Sequence, residues 1–263
     1  WTSGTGDVWG PRAQRDRDWN CEFIYNDASN GGAIGWIGDT ATLTNSKFIN
    51  NTAGIGGAVY IENTANSQGN LIQFCNFTGN EASEQGGAIN VENLEMYSYV
   101  EYTVIRNCNF EDNYGFNGGA ISAYYGNTAS IENRFANNSA GYGGAIASIS
   151  TGNRYMRMGQ LYLSKNTIMD CTAEFNGNAI FNLGYIASKL NITFMDGDAV
   201  SIPNGEPIEL NVTVVDDMGN PISGSPVNFT VGGQVTLLPA NDLVEGLGTV
   251  HFVPRENGTF IVS

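Results

Sequence analysis

A Phe-x-x-Asn step followed by a Gly-Gly-Ala-aliphatic step occurs five times in this chain, with a worn sixth copy. The doublets are Gly31-Gly32-Ala33-Ile34, Gly56-Gly57-Ala58-Val59, Gly86-Gly87-Ala88-Ile89, Gly118-Gly119-Ala120-Ile121, Gly143-Gly144-Ala145-Ile146 and the degenerate Gly177-Asn178-Ala179-Ile180. They lie 25, 30, 32, 25 and 34 residues apart. Phe23, Phe48, Phe110 and Phe135 stand eight residues before their doublets and Phe77 nine; three residues after each Phe comes Asn26, Asn51, Asn80, Asn113 or Asn138. In the sixth copy either Ile168 or Met169 replaces Phe. A fixed motif at a variable period is the mark of a solenoid whose rungs share a core and differ in their loops.

The residues around each Phe alternate. Glu22, Lys47, Asn76, Asn109 and Arg134 precede it, and the mostly small Cys21, Ser46, Cys75, Cys108 and Asn133 lie one further back. Period-2 alternation is that of a strand with Phe facing in. A second strand follows each doublet (AIGWI, AVYIE, AINVE, AISAY, AIASI, AIFNL). A helical reading fails for want of a 3.6-residue period, and glycine pairs break helices. The pattern predicts a right-handed parallel β-helix of about six rungs over 19–187, with 1–18 as an N-terminal cap or partial rung. Phe stacks on Phe inside, Asn stacks at a corner where it tolerates left-handed backbone, the glycine pair bends the chain, and Ala leaves room for the next rung.

Rungs longer than the 25-residue minimum carry their extra residues between the doublet strand and the next Phe strand, at 62–70, 92–102 and 149–160. Insertions at one point of a rung leave the rod on one side, which in solenoids is often the binding side. Tyr97, Tyr99, Tyr102, Tyr124, Tyr125 and Tyr155 cluster there, and exposed tyrosines suit contacts with sugars or proteins. Plain packing over the coil is the competing reading of these rings.

Cys21, Cys75 and Cys108 share one repeat position and Cys171 follows the sixth strand. No CxxC exists and His251 is the only histidine, so this is not metal spacing, and no cofactor motif is present. Inward cysteines in one column read as buried free thiols, because stacked parallel side chains give poor disulfide torsion. A net charge of −15 with only eleven basic residues argues against nucleic-acid binding. No segment approaches the ~18 apolar residues of a membrane span. Seven sequons, at Asn50, Asn76, Asn137, Asn191, Asn211, Asn228 and Asn257, fit surface exposure and N-glycosylation.

From about Lys189 the doublet rhythm stops and prolines gather. Seven strand-like runs, 190–194, 199–202, 208–216, 226–232, 234–240, 247–254 and 258–263, predict a β-sandwich over 188–263.

The paired F-x-x-N and G-G-A-[ILV] motifs resemble those of the chlamydial polymorphic membrane proteins, β-helix adhesins. Asn- and Thr-rich copies such as FINNTAGIGGAV look still more like the adhesin-like surface proteins of methanogenic archaea. The resemblance covers about residues 20–185. The tail, VVDDMGNPISGSPVNFTV and onward, is similar to bacterial Ig-like domains of the invasin and intimin kind. What these resemblances imply is a non-catalytic extracellular adhesin at the cell surface, with an Ig-like stalk, that meets surface proteins or glycans of other cells. A fibre or sheath subunit that packs against copies of itself is the alternative. A polysaccharide-degrading enzyme is the weakest reading: Glu92, Glu95 and Glu101, or Glu111 with Asp112, repeat no catalytic set, and the β-helix holds no histidine.

Overall fold

In a computed structural model that describes residues 20–38, 40–64, 69–93, 101–150, 159–195, 205–225, 230–231, 234–235 and 242–254, the described chain is all-β. Each turn of the coil contributes four strands, where sequence periodicity had pointed to two. They form four parallel sheets, here numbered 1 to 4 in the order the chain visits them. Sheet 1 holds the Phe strands, from Glu22–Ile24 and Lys47–Ile49 to Thr167–Met169. Sheet 2 runs from Asp27–Asn30 to Thr172–Asn176. Sheet 3 holds the doublet strands, including Val59–Asn63, Ile89–Asn93 and Ile121–Tyr124. Sheet 4 runs from Thr42–Thr44 to Tyr185–Ile186. The strands stack as a parallel β-helix in register, Phe23 on Phe48, Phe48 on Phe77, and Phe110 on Phe135. Ile168 pairs with Phe135, so it and not Met169 fills the Phe position of the sixth copy.

The five Phe rings form one column, with centroids 4.7 to 4.9 Å apart and ring planes within 8° of parallel. That separation is the rung spacing of a parallel sheet. Beside it runs an amide ladder, fully buried from Asn51 to Asn138. Asn80 Nδ2 donates to Asn113 Oδ1 (2.9 Å) and to Phe48 O (3.1 Å), and the Asn80 N–H donates to Asn113 Oδ1 (3.0 Å); Asn51 and Asn113 repeat the set. The ladder ends at Cys171, which takes the Asn position in the sixth copy and accepts from Asn138 Nδ2 at 3.7 Å. The expectation that these asparagines adopt left-handed backbone is corrected. The residue before each one does so instead, namely Tyr25, Asn50, Gly79, Asp112 and Asn137, as does Asp170 before Cys171, with φ between 51° and 65°. The ladder Asn must keep its amide aligned with the column, so the bend falls on its neighbour.

The two glycines of a doublet answer two different needs. The first, as at Gly56 and Gly86, has φ near +65°. The second is dictated by the next rung: a Cβ on Gly87 would meet Gly119 O at 2.1 Å, and one on Gly119 would meet Gly144 O at 2.1 Å. Asn178 stands in that position only in the last copy, where no further rung follows in sheet 2. The one extra residue between Phe77 and its doublet is absorbed as a bulge in Glu81–Gln85, where the register shifts against both neighbours.

Past the sixth rung the chain closes its own end. Ile222–Gly224, which no sequence pattern marked as a strand, pairs in parallel with Ile180–Asn182 as a seventh strand of sheet 3. Val214, Ile222 and Leu243 join the β-helix core. Carboxylates replace the carbonyls that a further rung would have offered. Gly177 N–H and Asn178 N–H donate to Glu245 Oε1 (3.0 and 2.9 Å), and Lys165 N–H donates to Asp217 (3.0 Å). Of the remaining described strands, Asn191–Phe194, Ile208–Val215 and Leu247–Phe252 form an antiparallel sheet around Leu210, Val212 and Val250, and Thr230–Val231 pairs antiparallel with Gln234–Val235. The strands expected at 199–202 and 258–263, and the expected cap at 1–18, lie outside the described residues.

Candidate binding face

Each long insertion leaves from a strand of sheet 3 and returns to a strand of sheet 4. Val59–Asn63 precedes the first and Leu71–Gln73 follows it; Ile89–Asn93 and Thr103–Arg106 flank the second; Ile146–Ile149 and Gln160–Ser164 flank the third. All three therefore arise along one edge of the coil, because in-phase stacking puts equivalent points of successive rungs above one another.

On sheet 3, Val59, Ile61, Ile89 and Val91 face the core. Alternation sends Tyr60, Asn90 and Ser122 outward, in register with each other. Two residues along the same outward face, Glu62 pairs with Glu92. The Tyr60 hydroxyl lies between these carboxylates, 3.1 Å from Glu62 Oε2 and 2.9 Å from Glu92 Oε2. Burial pushes the Glu92 carboxyl above its usual range and the Glu62 charge adds to this, while the hydrogen bond from Tyr60 opposes it. Burial, then the charges and hydrogen bonds of Glu92 and Glu62, raise the Tyr60 hydroxyl in turn. A phenol flanked by two carboxylates resists ionising.

Of the six tyrosines expected to form the binding surface, Tyr97, Tyr99 and Tyr155 lie outside the described residues. Tyr124 is half-buried at the end of its sheet 3 strand, and its hydroxyl is raised by burial and by the neighbouring Tyr125 and Glu92. Tyr125 is a correction to the expectation of exposure: it is 6% exposed, with its ring edge-on to Tyr124 at 4.9 Å. Its backbone bends there (φ 54°) and turns the ring under the surface. Tyr102 is half-buried and its hydroxyl donates to Gln160 Oε1, so it braces two sheet 4 segments across the intervening strand Thr128–Ile131.

Sequence reasoning missed a second group of rings. Phe116, Tyr142 and Phe175 on sheet 2 meet each other at 5.1 to 6.2 Å, and Phe181 of sheet 3 joins Tyr142 at 4.9 Å. Phe175 and Phe116 are 56% and 39% exposed. The available signal was an aromatic one or two places before the doublet in the last three copies.

All four cysteines are free thiols. Cys75 and Cys108 occupy places that Asn133 and Asn166 hold in later rungs, where an atom must accept the N–H of the rung before. Cys75 N–H donates to Cys108 Sγ (3.5 Å), and Cys108 N–H to Asn133 Oδ1 (2.8 Å). Among the sequons, Asn76, Asn137 and Asn191 are exposed, Asn50 and Asn211 are half-buried, and Asn228 and Asn257 lie outside the described residues. No helix among the described residues is long and apolar enough to cross a membrane.

Comparison with known proteins bears on this architecture at three points. The profile of the Chlamydia polymorphic membrane protein repeat matches residues 74–92, a stretch holding Phe77, Asn80 and the Gly86-Gly87 doublet. A metabotropic glutamate receptor-like protein P of Dictyostelium discoideum is 27% identical over 244 residues, which covers 83% of this chain but only 16% of that protein. No solved structure matches. The chain thus carries a repeat of the polymorphic-membrane-protein kind, folded as a parallel β-helix.

Proposed function

We propose that the chain is the display portion of a cell-surface adhesin, extracellular and non-catalytic, which binds surface proteins or glycans of other cells through the segments inserted between sheets 3 and 4. The observation that carries this reading is the convergence of all three long insertions on one edge of the coil. The surface-protein character of the matched repeat and the receptor-like description of the Dictyostelium relative support the location. In this reading the C-terminal residues are an Ig-like stalk module whose first task is to close the coil, and the exposed sequons carry glycans on faces other than the binding edge.

The test is retention of partner cells and cell-wall glycans on immobilised protein, with segments 94–100 and 151–158 replaced by short Gly-Ser links. Loss of retention with an unchanged β spectrum supports binding at this edge. Equal retention rejects the edge. No retention by either protein, together with concentration-dependent assembly, would favour a fibre subunit instead.

A further inference from the structure

Two features of the outward face of sheet 3 bear on the same site. The first is an excess of negative charge. Glu62 and Glu92 sit one rung apart, both within 3.1 Å of a single hydroxyl. The Tyr60 hydroxyl has one proton and can satisfy one of them. No basic side chain among the described residues pairs with either glutamate. The second feature is a set of orphaned groups. Asn90 is 0% exposed, and among the described residues neither its Oδ1 nor its Nδ2 has a hydrogen-bond partner; the buried Ser122 hydroxyl beside it is also unpartnered. Asn90 is the register partner of Tyr60 and lies two residues before Glu92 on the same face. A buried amide with both ends unmet costs several kcal/mol as a rule and marks an ion or ordered water.

We propose that Tyr60, Glu62, Asn90 and Glu92 form a site for a hard divalent cation, with calcium as the ion this donor set fits. Two carboxylates, an amide carbonyl and a phenolic oxygen make an all-oxygen, irregular set, which suits the adaptable coordination of calcium better than the octahedron magnesium demands. Neighbouring strands hold the donors at rung spacing, so an ion between Glu62 and Glu92 relieves their repulsion and gives Asn90 Oδ1 a partner. The site stands just before the insertion that follows Asn93, so the ion would also tie the root of that segment to the coil. The inference is independent of the adhesin reading.

Terbium(III) is the probe, because tyrosines close to it sensitise its emission. Titration of the chelator-treated protein should give a saturable signal that calcium displaces. Glu62→Gln and Glu92→Gln should each weaken binding by about 10-fold or more, the loss that even the supporting partners of metal ligands produce. Glu174→Gln, on an exposed residue of sheet 2, should leave it unchanged. Glu62 is half-exposed, so its variant tests the site even if the Glu92 change impairs folding. No saturable signal from the native protein would overturn the proposal, as would binding that survives both glutamine changes. A glutamate pair that merely shares a proton would show as stabilisation by acid with no stabilisation by calcium, and that result also overturns it.

Discussion

Replacing Asn113 by Ala removes one link from a ladder that has no access to water. Four hydrogen bonds disappear: Nδ2 to Asn138 Oδ1, Nδ2 to Phe77 O, and the two that Oδ1 accepts from the Asn80 N–H and Nδ2. At a net worth of about 1 kcal/mol each, that is about 4 kcal/mol. The Asn80 N–H is then left buried without its acceptor, for about 1–3 kcal/mol more. The sum of about 5–7 kcal/mol is comparable to the whole stability of an ordinary domain. The assay is urea denaturation followed by circular dichroism, with Asn109→Ala as the control. Asn109 points outward, and its Oδ1 accepts from Arg134 at an exposed site, so its loss should cost under about 0.5 kcal/mol. If Asn113→Ala falls within 1 kcal/mol of the control with the same urea slope, the ladder does not carry the load assigned to it.

Three more outcomes follow from the same geometry. Gly87→Ala puts a Cβ 2.1 Å from Gly119 O and 2.4 Å from Tyr114 O, both backbone, so the variant should fail to accumulate as folded protein; Gly54→Ala, at 3.0 Å from Ser29 O, should fold with a modest loss of Tm. Glu245→Ala should speed amide exchange at Gly177 and Asn178 and cost about 1–3 kcal/mol, whereas Glu245→Gln, which keeps an acceptor, should restore most of the protection. In chelator-treated protein the raised Glu92 carboxyl binds its proton more tightly folded than unfolded, so its contribution is full below the ordinary carboxyl value of 4.5 and is lost as pH rises through the higher folded value. Stability measured from pH 4 to 8 should therefore decline less steeply in Glu92→Gln than in the native protein, and identical slopes would contradict the assigned environment.

Legibility in the sequence differed from feature to feature, for physical reasons. The Phe column and the amide ladder were readable because stacking demands the same residue at each rung, which leaves a repeat. The second glycine was readable for the same reason, and its replacement at Asn178 has a cause only the structure supplies: the coil stops there. Sheets 2 and 4 were not readable as separate columns. Their strands, two to five residues long as in Thr42–Thr44 and Thr52–Ile55, are no shorter than those of sheet 1 but carry no residue repeated at every rung to mark the column. The group of Tyr60, Glu62 and Glu92 depends on cross-rung register. Aligning the doublets places Glu62 and Glu92 each six residues past the first glycine, so the signal was present, but only once register had been taken as exact across a 30-residue period. The closing role of Asp217 and Glu245 had no sequence signature, since any acid in a turn looks alike until the N–H groups it faces are known.

Equivalent residues of successive repeats lie one above another, and distances between spin labels read that stacking without reference to any other feature. Labels on the outward positions of sheet 1, in a Cys21→Ser background, should separate in proportion to rung number. At ~4.8 Å per rung, Glu22 to Asn76 spans about 10 Å, Glu22 to Arg134 about 19 Å and Glu22 to Thr167 about 24 Å. A linear series of this slope is what the stacked coil predicts. Separations that fail to grow with repeat number would contradict the stacking, and with it the single edge on which the inserted segments meet.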